Sequence, residues 1–242
     1  MQRLSKNGWY IPKEEEFIHQ LFTNHMGGTC YAINSNLCSL LKHLGFHCRF
    51  VQLGTIHLAI LVQIPNTKEY VYVDCGTAAP LFKPLRFETD PDNSVSFGGI
   101  EVFIQPEDES GNFTFHRYID GKLIKQTLWS FTTKKTYHFK DFITPIQEYF
   151  QPGTLFMSTL RCQMWQQEKK RSLSLVNHTL NIRDINGKVE KHQLSSINDI
   201  RNVINEEFQL PYLPVERAII VLQELGVDIF QDLKKDHSVN LG

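Results

Sequence analysis

Paired cysteines, an excess of one charge and long apolar runs are all missing from this 242-residue chain. The cysteines number 5, at Cys30, Cys38, Cys48, Cys75 and Cys162, and none forms a CxxC pair. That excludes a zinc ribbon and a disulfide framework. Lys+Arg total 25 against Asp+Glu 26, a formal charge of −1. No whole-chain basic field exists for nucleic acid or an anionic membrane surface. No apolar run approaches the roughly 20 residues that span a bilayer. Walker, Rossmann and HExxH motifs are absent, as are internal repeats and low-complexity tracts. His43 and His47 are four apart, with Cys48 adjacent, but Gly45 interrupts the helix that would align them, so surface or packing roles are read rather than a metal pair. The first nine residues lack the apolar core of a signal peptide. A reduced, cytoplasmic compartment is expected.

What is present is an ordinary globular composition, 41% hydrophobic and 21% charged, long enough to bury a large core without staples. Pro12 and Glu14-Glu15-Glu16 open a helix with a stripe of Phe17, Ile18, Leu21 and Phe22. Gly27-Gly28 break it. A second helix is predicted from Cys30 to Leu44, with Ile33, Leu37, Leu40, Leu41 and Leu44 at helical spacing and Gly45 as its stop. Strands follow at 46–53, 56–64 and 70–74. A hairpin at Asp120-Gly121 joins 113–119 to 122–129. A short helix is read at 140–150, then strands at 158–165 and 172–184 and a hairpin at Asn186-Gly187. Helices at 196–208 and 215–225 close the chain. The order is α+β: a helical lead, a β middle and an α/β end.

Cys30 follows Gly27-Gly28-Thr29 at a helix mouth. A thiol of ordinary pKa, near 8.5, is only a few per cent ionised at neutral pH. Unpaired N–H groups and the dipole at a helix start favour the anion. Cys30 therefore reads either as a nucleophile or as a small buried residue beside a glycine turn.

A nucleophilic thiol needs a base, and the base an orienter. His57 begins an apolar strand, and Asp74 ends the next. With Ile64 opposite Thr67, Leu61 meets Tyr70, Ala59 meets Tyr72 and His57 meets Asp74. That register leaves the other face wholly apolar, and a one-residue slip would separate the pair. A satisfied core histidine beside a strand-end acid is the plainer alternative. A Cys–His–Asp set would have His57 take the Cys30 proton while Asp74 fixes the imidazole tautomer.

These residues resemble those of the arylamine N-acetyltransferases. The family's Arg-Gly-Gly-x-Cys motif, with a following aromatic and Asn, is matched by Met26-Gly27-Gly28-Thr29-Cys30-Tyr31 and Asn34. Leu44-Gly45-Phe46, His57-Leu58-Ala59-Ile60-Leu61-Val62 and Val73-Asp74-Cys75-Gly76 match further family strings in the same order. The resemblance implies a papain-like cysteine-enzyme core. Its parts are a shortened helical segment bearing the nucleophile (1–46), an antiparallel β-barrel with the His and Asp (47–150) and a C-terminal α/β lid (151–242). It implies catalytic Cys30, His57 and Asp74. It also implies acetyl transfer from acetyl-CoA, a co-substrate rather than a resident cofactor, to a small amine acceptor through a cysteine thioester. Tyr31, Tyr72 and Thr77 are candidate substrate contacts. The chain departs from the pattern at Met26, where the family has Arg, and at Ala32, where it has Glu. It is also shorter before the cysteine and between Phe50 and His57, and has Thr77 where the family has an aromatic. Amide synthesis or hydrolysis on the same fold, or a non-catalytic relative, are the alternatives.

Overall fold

The structure, a computed structural model, describes residues 11–231. The first nine residues, read above for a leader, lie outside the described residues.

Three glutamates occupy the first turn of α1 (Glu14–Asn24), where the helix dipole favours them. Of its expected stripe only Phe17 is buried; Ile18, Leu21 and Phe22 are exposed. In α2 (Cys30–His43), Leu40 and, just beyond, Leu44 are exposed too. The two helices cover each other only in part, and no further element among the described residues covers those side chains.

Strands β1 (Cys48–Leu53), β2 (His57–Gln63) and β3 (Tyr70–Val73) form an antiparallel sheet in that order. The central strand is apolar on both faces because both are covered. Ile60 and Val62 pack with Val71 against Cys38, Leu37 and Leu41 of α2. Ala59, Leu61 and Tyr72 turn the other way, into a cluster with Val102, Ile104 and Phe115. The register corrects the sequence expectation by two residues. Leu61 pairs with Tyr72 and Gln63 with Tyr70. Asn66 adopts a left-handed φ of 62°, and the Ile64 N–H bonds the Glu69 carbonyl at 2.9 Å. The loop thus holds four residues rather than two. An even shift leaves every side chain on its face, so His57 and Asp74 still share one.

The second sheet comprises β4 (Val95–Phe97), β5 (Ile100–Pro106), β6 (Asn112–Ile119), β7 (Lys122–Leu123) and β8 (Trp129–Thr132). The single strand expected over 122–129 is broken. Pairing with β6 stops at Tyr118↔Leu123 and resumes at Phe115↔Trp129, with a 3-10 turn at Lys125–Thr127 between. No closed barrel forms among the described residues. The backbone joins the first sheet to β8 through the Gly54 N–H, which donates to the Ser130 carbonyl at 3.0 Å. Gly54 lies in the β1–β2 turn, so β1 ends where a continuous ladder would have to run.

After α3 (Ile143–Tyr149) and α4 (Leu155–Ser158) come β9 (Arg161–Gln166), β10 (Arg171–Val176), β11 (Thr179–Asp184) and β12 (Val189–Gln193). They form a sheet ordered β12-β11-β10-β9. The run expected as one strand over 172–184 is two, turned at Asn177 with φ 54°. Helices α5 (Ile197–Glu206) and α6 (Val215–Glu224) cover this sheet through Ile200, Ile204 and Ile219, joined by Phe208 just beyond α5. Ser196 caps α5 by accepting the Asp199 N–H. Arg183 ties the C-terminal sheet to the second sheet, donating to the Gly98 carbonyl at 2.9 Å and to Asp120 Oδ1 at 2.8 Å. Trp165 packs edge-on against Phe82 and Phe97 across the same junction. Among the described residues no helix is long and apolar enough to cross a membrane.

Candidate active site

Three elements converge at the start of α2. Cys30 is the first residue of that helix and is 6% exposed. Thr29 precedes it in extended conformation without making a side-chain cap. The early amides of the helix are therefore not covered by a capping oxygen. His57 is the first residue of β2, and Asp74 follows the last residue of β3; both are buried.

His57 Nε2 donates to Asp74 Oδ2 at 2.7 Å. The imidazole stacks on the indole of Trp129, with centroids 4.7 Å apart and an interplanar angle of 16°. Three further donors hold the carboxylate. Tyr72 hydroxyl donates to Oδ2, and Asn34 Nδ2 and the Gly76 N–H donate to Oδ1, each at 2.7 Å. Burial alone would raise the Asp74 pKa. The charge and hydrogen bond of His57, with the bonds from Asn34 and Tyr72, outweigh it and hold the carboxyl below its usual range. Burial likewise opposes a charged His57. The Asp74 charge and hydrogen bond outweigh it, helped by a hydrogen bond and charge from Cys30, and raise the ring to about 10.

Asn34 lies one turn after Cys30 on α2. Its Nδ2 also reaches the Leu58 carbonyl at 2.7 Å, and its Oδ1 accepts the Cys75 N–H at 2.9 Å. One buried side chain thereby fixes the nucleophile-bearing helix to the strand of the base and the loop of the acid. A Cβ on Gly76 would stand 2.5 Å from Cys30 Cα, so only glycine lets that loop press against the helix start.

The candidate substrate contacts lie in different surroundings. Tyr31 is buried, its hydroxyl donating to the Ile56 carbonyl. Tyr72 is wholly buried and its hydroxyl is engaged by Asp74. Thr77 is half-buried, with its Oγ1 accepting the Ala79 N–H at 3.2 Å. Ala32 is 2% exposed, a place where an unpaired carboxylate would be costly to bury.

Sequence reasoning named Cys30, His57 and Asp74, and the structure pairs His57 with Asp74 and sets Gly76 against Cys30. Asn34 and Gly76 were quoted only as motif matches, without a structural role, and Trp129 was given no role. Asn34 sits at i+4 from Cys30, a readable sign of a shared helix face. Gly76 sits two residues after the acid, where a glycine signals close backbone approach. Trp129 carries no such sign, because the break between β7 and β8 sets its position.

Residues 12–216 match the family model described as N-acetyltransferase. No curated protein sequence matches the chain at a significant level. Solved structures share the fold. The arylamine N-acetyltransferase of Mycobacterium marinum, solved in complex with CoA, aligns at 17% identity and TM-score 0.71, covering 93% of this chain and 83% of that one. The Salmonella typhimurium arylamine N-acetyltransferase aligns at 15% identity and TM-score 0.73, covering 89% and 82%. A Bacillus cereus arylamine N-acetyltransferase described as having a Cys-His-Glu catalytic triad aligns at 17% identity and TM-score 0.65, covering 84% and 81%.

Proposed function

The chain belongs to the N-acetyltransferase family, and from that premise we propose that it moves an acetyl group from acetyl-CoA to a small amine through a thioester on Cys30. The observation that carries the reading is the junction itself, where Asp74 holds the buried His57 ring at 2.7 Å and the loop after Asp74 presses at Gly76 against Cys30 at the head of α2.

His57 takes the Cys30 proton, and the sulfur attacks the thioester carbonyl. The C–S bond to coenzyme A breaks, and the departing sulfur takes the proton back from His57. Acetyl-Cys30 remains. The amine then attacks that carbonyl and loses its proton to His57. Cys30 is released as the amide leaves, reprotonated by His57. Asp74 keeps one tautomer and balances the imidazolium charge in a buried place where water cannot. Asn34 and Gly76 are positioning residues for the pair. Thr77, half-buried one residue after Gly76, would contact the substrate, and the buried Tyr31 and Tyr72 would support the site from within.

The same reading assigns 11–46 of the described chain to the nucleophile, 47–150 to the base and acid, and 151–231 to a covering layer in a papain-like arrangement, working in the cytoplasm. It is supported by the separate buried clusters of the C-terminal sheet and of the two central sheets.

The test is intact mass after incubation with acetyl-CoA and no acceptor. Wild-type protein should gain one acetyl group, lost on adding an aromatic amine, and Cys30→Ser should gain none. An unmodified wild-type mass rejects acetyl-CoA as the donor.

A further inference from the structure

Arg117 lies on β6 two residues beyond Phe115, on the strand face that carries the buried Phe113 and Phe115. Its Nε is buried with no hydrogen-bond partner. Its two terminal nitrogens reach only backbone oxygens, Nη1 to the Thr77 carbonyl at 3.3 Å and Nη2 to the Ala78 carbonyl at 3.5 Å. Among the described residues no carboxylate pairs with it. The charge that acts on it, after burial itself, is the like charge of Arg161 on β9. A guanidinium in such surroundings is missing the anion that its planar fork fits best.

The place of that missing anion is informative. Thr77 and Ala78 directly follow Gly76, whose backbone backs onto Cys30. Ala78 is held at φ 53°, a conformation that disfavours a side chain. With about 3.8 Å between successive Cα atoms, the carbonyls that Arg117 holds stand one and two residues from the nucleophile's contact. A small aromatic amine bound for transfer at Cys30 could reach that far with a group at its opposite end.

We propose that Arg117 is a specificity-determining residue that recognises a carboxylate carried by the substrate in the Cys30 site, either on the acceptor amine or on the acyl group. The inference rests on the acyl-transfer reading and adds the substrate's charge to it.

Two matched pairs separate the sources. With acetyl-CoA as donor, 4-aminobenzoate is compared with the neutral 4-aminobenzamide. With aniline as acceptor, malonyl-CoA is compared with propionyl-CoA. In Arg117→Gln the kcat/KM ratio of the charged to the neutral member should fall about tenfold or more in one pair, since one charge-assisted contact is worth at least that. Arg117→Lys should retain part of the ratio. The pair that responds identifies where the carboxylate sits. Ratios that stay put, or charged and neutral members that fall alike, overturn the proposal. So does a rise confined to the KM for acetyl-CoA, which would assign the guanidinium to a coenzyme phosphate. Calorimetric titration of Cys30→Ser protein, which cannot form the thioester, with all four compounds gives a readout independent of turnover. Equal binding of the charged and neutral members in both pairs also overturns it. Cys30 acetylation, followed by mass in the kinetic samples, keeps the outcomes distinct. A missing acetyl mass rejects the acyl-transfer reading, whereas acetylation without charge preference rejects only this one.

Discussion

Asp74 keeps its charge away from water because four donors converge on its two oxygens. Each hydrogen bond to a charged group contributes about 1.5–3 kcal/mol, and together they offset the several kcal/mol that burial of a lone carboxylate would cost. Asn34→Ala removes one of them and orphans the Cys75 N–H. Its kcat/KM should fall about 10- to 100-fold, the rate equivalent of one such bond, with a lower Tm. Assay and thermal melt on the same preparation check both. Gly76→Ala should be more damaging to activity than to stability, because its Cβ would displace the backbone of Cys30 itself. Acetyl-Cys30 formation by mass, set against Tm, measures that split. The pair also has a pH signature. Asp74 is depressed, so its contribution is present above the unfolded value near 3.9 and is lost as pH falls through the folded one. His57 is raised, so its contribution is full below the unfolded value near 6.5 and is lost as pH rises through about 10. The Tm gap between wild type and His57→Gln should therefore shrink from about pH 6 to about pH 10. A gap that widens over that range contradicts the assignment.

The elements were legible where pattern and burial agree. The continuous apolar run of β2 announced a strand covered on both faces. Its face assignment survived because the loop error was even. Asn66 takes a left-handed turn that composition alone does not specify, and that moved the register by two. The hairpin at Asp120-Gly121 was readable, but the break after Leu123 was not. Nothing local tells residues 124–128 to leave β6; the packing of Trp129 on His57 and Phe115 does. The Gly98-Gly99 turn of the second sheet meets the C-terminal sheet, a contact no local pattern announces. A Cβ on Gly98 would stand 2.5 Å from the Asp184 carbonyl at φ 56°. At Gly153, φ is 86° and the surroundings are open. Gly98→Ala should lower the Tm clearly more than Gly153→Ala, because only the first adds a clash to the backbone strain. Equal effects by differential scanning calorimetry would mean that the junction yields freely.

At the scale of the molecule, the two largest buried clusters lie one between the central sheets and one under α5 and α6. The three-part α+β order was visible in the sequence. The absence of a closed barrel among the described residues was not, because closure depends on where β1 ends relative to β8. Phe208 is wholly buried in the C-terminal cluster, and Phe208→Ala should cost about 3–5 kcal/mol. The Arg183 and Trp165 contacts couple the layers, so urea denaturation should show one transition at a lower midpoint. Two separated transitions would show that the layers unfold independently.

The stacking of Trp129 on His57 gives the protein an optical reporter of its own. Protonated imidazole quenches indole emission through electron transfer, and here the two rings lie face to face. If Cys30 carries the acyl group as proposed, the ring loses the sulfur with which it exchanges a proton, and its protonation resets. Emission from Trp129 would brighten or dim with each turnover, and a stopped-flow trace lost in Trp129→Phe could time acylation without any dye.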